Sequence, residues 1–191
     1  MTETQLGPST ESSASIHLEI SKVYTLMKKP TEAFGEHTKS IEIYRQFENV
    51  DLIPVAENAE SLSMLLQVSN IPATIECISQ AIDIYDNAMG TDNKTSAKLR
   101  RRLSLLFLKA GKNADAMGIL KQVEKTERAI FGEFSLKLAQ TFKEIGKVNE
   151  ILGNKDEAHN YYSKALEIVV KRKKPLLIKE VKSLLRVLSN K

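Results

Sequence analysis

"LAQTFKEIGKVNEILGNKDEAHNYYSKALEI" occupies residues 138–168. Two apolar periodic segments, each 15 to 18 residues long, flank the turn-like "LGNK" at 152–155. Segments of that length at helical spacing are too long for strands and suit helices. Three small residues, Gly146, Ala158 and Ala165, stand inside the apolar faces. Small side chains are needed where two helix axes approach closely.

Working outward, the same small positions recur. Ser21, Ser63, Ser104 and Gly146 stand 42, 41 and 42 residues apart, and Ala33, Thr74, Ala116 and Ala158 stand 41, 42 and 42 apart. Ser40, Ala81, Val123 and Ala165 form a third such series, and Ile20, Leu62, Leu103 and Ile145 a fourth. A period of this size is the signature of a stacked array, in which no unit can bury its apolar face alone. Turn-like stretches "KKPT", "SNIP", "AGKN" and "LGNK" divide each unit. Pro30 and Pro72 fit the first turn of a following helix, and Gly111 and Gly153 fit the end of a preceding one.

The spacing predicts helices at 12–28 and 31–47, 52–69 and 72–89, 93–110 and 113–131, and 134–152 and 155–171. A last segment, begun by Pro175, puts Leu177, Val181, Leu184 and Leu188 on one face and is expected to cap the stack. The expected organisation is a disordered Ser/Thr-rich tail at 1–11 and four repeats over 12–171 (about 12–51, 52–92, 93–133 and 134–174). A capping helix with basic character follows at 175–191. The expected fold class is all-α.

Composition narrows the function. With 42% hydrophobic and 27% charged residues, the 191-residue chain has material for a core and a solvated surface. Apolar runs such as "LSLLFL" fall far short of the roughly 20 residues of a membrane span. The N-terminus lacks the basic start and apolar block of a secretory signal. Cys77, the one cysteine, excludes an internal disulfide, fits a reducing, cytoplasmic compartment, and reads as a buried inert thiol among Ile75 and Ile78. His17, His37 and His159 are scattered without a second ligand at zinc-like spacing. No phosphate loop, nucleophile elbow or His-Glu metal motif is present, so neither an enzyme nor a cofactor is expected. Residues 171–191 carry eight basic residues and one acidic, which places the basic character in the tail rather than the body.

The quoted stretch resembles a tetratricopeptide repeat of the 42-residue kind seen in kinesin light chains, through Ala139, Thr141, Gly146, Gly153, Glu157, Ala158, Tyr162, Ala165, Leu166 and Ile168. The place of a large ring late in the first helix holds Tyr24, Leu66 and Phe107, but Asn149 in the last repeat. The resemblance implies a solenoid of four helix-turn-helix repeats plus a capping helix. Residues 97–170 more narrowly resemble the C-terminal repeats of the tetratricopeptide repeat protein 23 family and its 23-like paralogue, chiefly at the junction Phe131–Ser135. Members of that family are longer, and the likeness covers only their C-terminal half. It implies a non-enzymatic ciliary and microtubule-associated scaffold linked to Hedgehog signalling, located at the cilium or microtubule cytoskeleton.

In such repeats the first helix of each pair lines a groove. That places Glu57 and Glu60 at an acidic end, and Lys98, Arg101, Arg102, Lys143 and Lys147 at a basic end, suited to a protein partner with an acidic segment. The partner is expected as a peptide or helix in the groove. Neither the carboxylate-gripping Lys/Asn set of chaperone-binding repeats nor the Asn ladder of kinesin light chains is complete here. The run Lys171, Arg172, Lys173 and Lys174 offers an auxiliary contact, for example to acidic tubulin tails or a ciliary complex. It also sits where cations favour the end of a helix dipole. Nucleic acid is not an expected partner, because aromatic residues do not interleave with these lysines.

Overall fold

The computed structural model describes residues 10–189. Nine α-helices and no strands are present among them: α1 Glu11–Leu26, α2 Pro30–Tyr44, α3 Ile53–Leu66, α4 Ile71–Met89, α5 Lys94–Lys109, α6 Asn113–Phe131, α7 Leu136–Ile151, α8 Lys155–Lys171 and α9 Pro175–Ser189. The chain divides into two compact units, Met1–Ala88 and Met89–Lys191.

In the first unit, helix formation begins earlier than the sequence suggests. The tail expected over 1–11 lies outside the described residues up to position 9, while Thr10 and Glu11 belong to the start of α1. Thr10 caps it: the Thr10 hydroxyl accepts from Ser13 N and the Ser13 hydroxyl accepts from Thr10 N, both at 3.1 Å. This reciprocal pair satisfies two donors that a helix start otherwise leaves open. Pro30 occupies the first turn of α2.

Helices α2 and α3 end about three residues short of the expected 47 and 69. Asn49 lies in the left-handed region beyond α2, and the Asn70 side chain accepts from Ala73 N at 3.1 Å to start α4. Short polar side chains thus end or begin helices that hydrophobic spacing alone would have extended.

The recurring small residues do the packing assigned to them. Ser21, Ala33, Ser40, Ser63, Thr74 and Ala81 are fully buried. Helices α1 and α2 approach so closely that Ser21 Oγ donates to Ala33 O at 2.8 Å and Ser40 Oγ donates to Ala14 O at 2.9 Å. Helix α3 packs on both of them. Its core contacts come from Val55, Ala56, Ala59, Leu62 and Leu66, all buried.

In the second unit α5 to α9 pack consecutively, α5 on α6, α6 on α7, α7 on α8 and α8 on α9. Asn93 and Ser135 cap α5 and α7 through Ser96 N at 2.7 Å and Leu138 N at 3.2 Å. The α7–α8 interface explains why Gly146 is glycine. A Cβ there would stand 2.5 Å from Tyr162 Cε1, and the Tyr162 ring is itself fully buried. Phe142, Ile145, Val148, Ala158, Tyr161, Ile168 and Val169 build the surrounding core, which α9 closes with Val181 and Leu188.

Left-handed residues end the helices in a repeating phase: Asn49, Gly90, Gly132 and Lys173 after each second helix, and Lys28, Gly111 and Gly153 after first helices. Glycine takes this conformation without a Cβ clash. Lys28 and Lys173 take it against their intrinsic preference, whereas Asn49 is of a type that tolerates it.

Candidate functional site

Of the proposed groove residues, Glu57 and Glu60 belong to α3 in the first unit and the remainder to α5 and α7 in the second. Glu60 is half-buried. The Tyr85 hydroxyl is raised above its ordinary value first by burial and then by the charges of Glu60 and Glu57.

On α5 and α7, Lys98 and Lys147 are exposed, whereas Arg102 and Lys143 are half-buried. Arg101 is held within the fold. Its Nη2 donates to Glu127 Oε1 at 2.7 Å and to Thr141 Oγ1 at 2.6 Å, and its Nη1 donates to Glu144 Oε2 at 2.9 Å. Thr141 Oγ1 donates on to Glu127 Oε2 at 2.7 Å, and Gln140 Nε2 donates to Glu144 Oε1 at 3.2 Å. Only 17% of the Arg101 side chain meets solvent. The guanidinium ties α5 to α6 and α7, because its planar fork can serve two carboxylates at once.

Lys143 is similarly engaged, with Nζ 2.8 Å from Glu180 Oε1 on α9. A small cavity of about 120 Å³ beside it is lined by α7, α8 and α9, including Ala139, Gln140, Val169 and Val181. The chain's own last helix therefore reaches the α7 face that the sequence assigns to a partner.

The basic run after α8 also has structural work. Lys171 Nζ lies 3.3 Å from the centroid of the Phe134 ring, so an aromatic residue does meet these lysines in space. Arg172 Nε donates to Phe134 O at 2.7 Å. Lys173 is left-handed, and Lys174 N donates to Val169 O at 3.0 Å, closing the end of α8 before α9 begins. The side chains of Lys173 and Lys174 are exposed.

Charge is divided by unit as well as by tail. Residues 1–88 hold 13 acidic and 5 basic residues, net −8, and residues 89–191 hold 11 acidic and 23 basic, net +12. Of that +12, residues 171–191 carry +7 and residues 89–170 carry +5, so the tail holds the larger share and the rest of the second unit adds to it. Several cations crowd aromatic rings there: Lys121 and Lys164 lie 4.4 and 4.8 Å from the Tyr161 centroid, and Lys137 lies 4.5 Å from that of Phe131.

A polar network that sequence reading missed lies in the first unit. Asn58 Nδ2 donates to Ser21 Oγ at 2.9 Å and to His37 Nδ1 at 3.1 Å, and His37 Nε2 lies 3.1 Å from Gln80 Oε1. With Nδ1 accepting, the ring proton is on Nε2, facing Gln80. Burial holds His37 below its ordinary pKa, with the Gln80 bond acting the other way. The signal was Asn58, a polar residue in the register of the buried apolar Leu99.

Cys77 is fully buried and its thiol is pushed up to about 12, first by burial, leaving it without thiolate reactivity near neutral pH. Among the described residues no group of three or more His, Cys, Asp or Glu could hold a metal ion, and no helix is long and apolar enough to cross a membrane.

No protein-family model matches the chain, and no curated protein matches its sequence. Solved structures do match its fold. The chain is similar to BtubC (BKLC) from P. vanneervenii, with a TM-score of 0.67 and 16% identity over 94% of this chain and 82% of that one. It is also similar to a Podosopora anserina putative kinesin light chain with nearly identical TPR-like repeats, with a TM-score of 0.58 and 12% identity over 94% and 96%.

The fold is the tetratricopeptide-repeat fold. MamA shares it, with a TM-score of 0.55 and 20% identity over 84% of this chain and 81% of that one. At these identities the likeness is one of architecture.

Proposed function

We propose that this tetratricopeptide-repeat chain is a non-catalytic protein-interaction scaffold whose second unit binds an acidic segment of a protein partner. The observation that carries the reading is the net charge of +12 on residues 89–191. Lys98, Arg102 and Lys147 on the first helices are the proposed contacts, with Lys173 and Lys174 as auxiliary ones. Arg101 and Lys143 support this face by holding α5, α6, α7 and α9 together. Complementary charge chiefly speeds encounter and selects partners.

Fluorescence anisotropy with a labelled Glu-rich peptide tests the reading. Binding should weaken about tenfold in the double variant Lys98→Glu/Lys147→Glu while helical circular dichroism is unchanged. Equal binding by the variant would remove these lysines from the site.

The resemblance of residues 97–170 to the tetratricopeptide repeat protein 23 family supports a finer setting, a ciliary or microtubule-associated scaffold linked to Hedgehog signalling. Tubulin tails or a ciliary complex then become the acidic partner. Imaging the tagged chain in ciliated cells tests it: signal at the ciliary base or axoneme is expected, and a diffuse signal counts against it. The architectural likeness to a putative kinesin light chain favours a second reading, a transport adaptor for cargo peptides. Capture of a short extended peptide, rather than a tubulin tail, would select that one.

A further inference from the structure

Helix α9 sorts its residues by side. Val181 and Leu188 are buried in the core of the second unit, and Leu177 and Leu184 pack against it from the same side. At about 100° per residue, Lys182, Arg186, Lys179, Ser183, Leu176 and Val187 share the opposite arc of about 140°. The three cations and Ser183 are exposed. Leu176 is 83% exposed and Val187 49%. No acid stands in this arc. Glu180, the one acidic residue of 171–191, lies at its edge and is engaged by Lys143 of α7 at 2.8 Å. No ion pair among the described residues engages Lys179, Lys182 or Arg186. Lys173 and Lys174 stand exposed in the turn that leads into the helix.

Shape and residue type decide what such a face can hold. The cavity beside α9 lies on its inward side, against α7 and α8, and the outward side is an open helix surface. A helix satisfies its backbone bonds internally, so it offers an extended peptide no edge to pair with. Fixed carboxylates in this molecule are held differently: Glu127 and Glu144 are gripped by the fork of Arg101. The arc instead carries mostly lysines, point charges on flexible stems that suit anionic groups which are mobile themselves. Leu176 and Val187 gain little from a charged peptide. In the headgroup boundary of a bilayer they would bury apolar surface beside the cations. Negative charge spread over a surface, with an apolar layer beneath it, complements both kinds of residue at once.

We infer that the outward face of α9 docks the chain on the surface of an anionic lipid bilayer. Lys179, Lys182 and Arg186 meet the headgroups, and Leu176 and Val187 enter the boundary beneath them. The helix lies on the membrane and does not cross it, since no helix among the described residues is long and apolar enough to do so. Each cation near an anionic leaflet adds about fivefold to partitioning, so the contact is reversible and sensitive to salt. Lys179, Lys182 and Arg186 are not among the contacts proposed for the acidic partner.

Cosedimentation of the full 191-residue chain with large lipid vesicles is the experiment. Vesicles of phosphatidylcholine with about 30% phosphatidylserine should carry the chain down, and pure phosphatidylcholine should bind it at least about tenfold more weakly. Lys179→Glu/Lys182→Glu/Arg186→Glu, at exposed positions, should keep the helical spectrum and weaken vesicle binding at least about a hundredfold. Lys98→Glu/Lys147→Glu should stay within about twofold of the parent, because charges away from the contact are screened. The chain has no tryptophan, so Leu176→Trp supplies a lone reporter. Its emission should shift to the blue on phosphatidylserine vesicles, while that of Val68→Trp, at an 89% exposed position in the first unit, should not. Failure to sediment with either vesicle, or equal binding to both, overturns the proposal. Equal binding by the triple variant, equal loss by Lys98→Glu/Lys147→Glu, or unshifted emission from Leu176→Trp overturns the assigned face. If the parent ignores vesicles and the triple variant loses a Glu-rich peptide instead, the arc belongs to an acidic protein and the lipid assignment falls.

Discussion

Arg101 shows how a side chain read from sequence as a groove base can also hold helices together. As a base on a first helix it suits a groove, but Glu127 and Glu144 arrive from 26 and 43 residues away and claim it. Arg101→Glu should place three carboxylates together and destabilise the fold by about 3–5 kcal/mol, the range for breaking a buried ion pair by losing one partner. Thermal melting checks this, and Arg101→Met should cost less, since it adds no third negative charge. Asn149 departs from the repeat pattern, standing where three other repeats carry Tyr24, Leu66 and Phe107. Its amide donates to Ile145 O at 3.1 Å and its Oδ1 accepts from Asn154 at 3.4 Å, so polar bonds close the turn there. His37 supplies a pH prediction. Its native pKa lies below the ordinary 6.5, so the neutral ring is favoured in the fold. Stability is then full above about pH 6.5 and falls as pH drops toward the lowered native value, because the unfolded chain takes up the proton first. Denaturant midpoints at pH 7.5 and pH 5.5 should differ, and His37→Gln should flatten that difference. Glu36 acts in a more acidic window: burial raises its pKa, but bonds from His17 and Lys39 outweigh it, so its contribution is lost below about pH 4.5.

At the scale of elements, Gly146 makes the sharpest test of helix packing. Gly146→Ala gains helix propensity but drives a methyl into the buried Tyr162 ring, and a net loss of about 1–3 kcal/mol is expected in chemical denaturation. A more stable variant would mean that α7 and α8 can part without cost. This interface was legible in advance, because a small residue at fixed spacing inside an apolar run is demanded by close helix approach and by little else. The helices themselves were legible for the same reason, as were Pro30 at the start of α2 and the closing role of Val181 and Leu188 on α9. Helix ends were less so. Thr10, Asn49 and Asn70 decide theirs by side-chain or left-handed geometry, which leaves no hydrophobic period to follow. That the proposed surface residues stand on first helices was legible, but the partners of those charges within the fold were not. Lys143 gives the reason: its partner Glu180 sits 37 residues on, and only packing brings α9 to it.

For the whole molecule, the net charge of +12 on residues 89–191 means that binding of an acidic partner answers to salt. Raising ionic strength from about 0.05 to about 0.5 M shortens the screening length several-fold, so binding of a Glu-rich peptide should fall steeply. An affinity that stays level across that range, read by anisotropy, would argue against a contact led by charge. The left-handed residues Asn49, Gly90, Gly132 and Lys173 carry a consequence for how such a chain is lengthened. Each closes one helical pair at the same phase, so a gene spliced at these turns gains or loses whole pairs and never a fraction. Duplication and deletion can therefore edit the number of pairs, and each edit makes a new seam at which bonds such as Arg101 to Glu144 must be replaced.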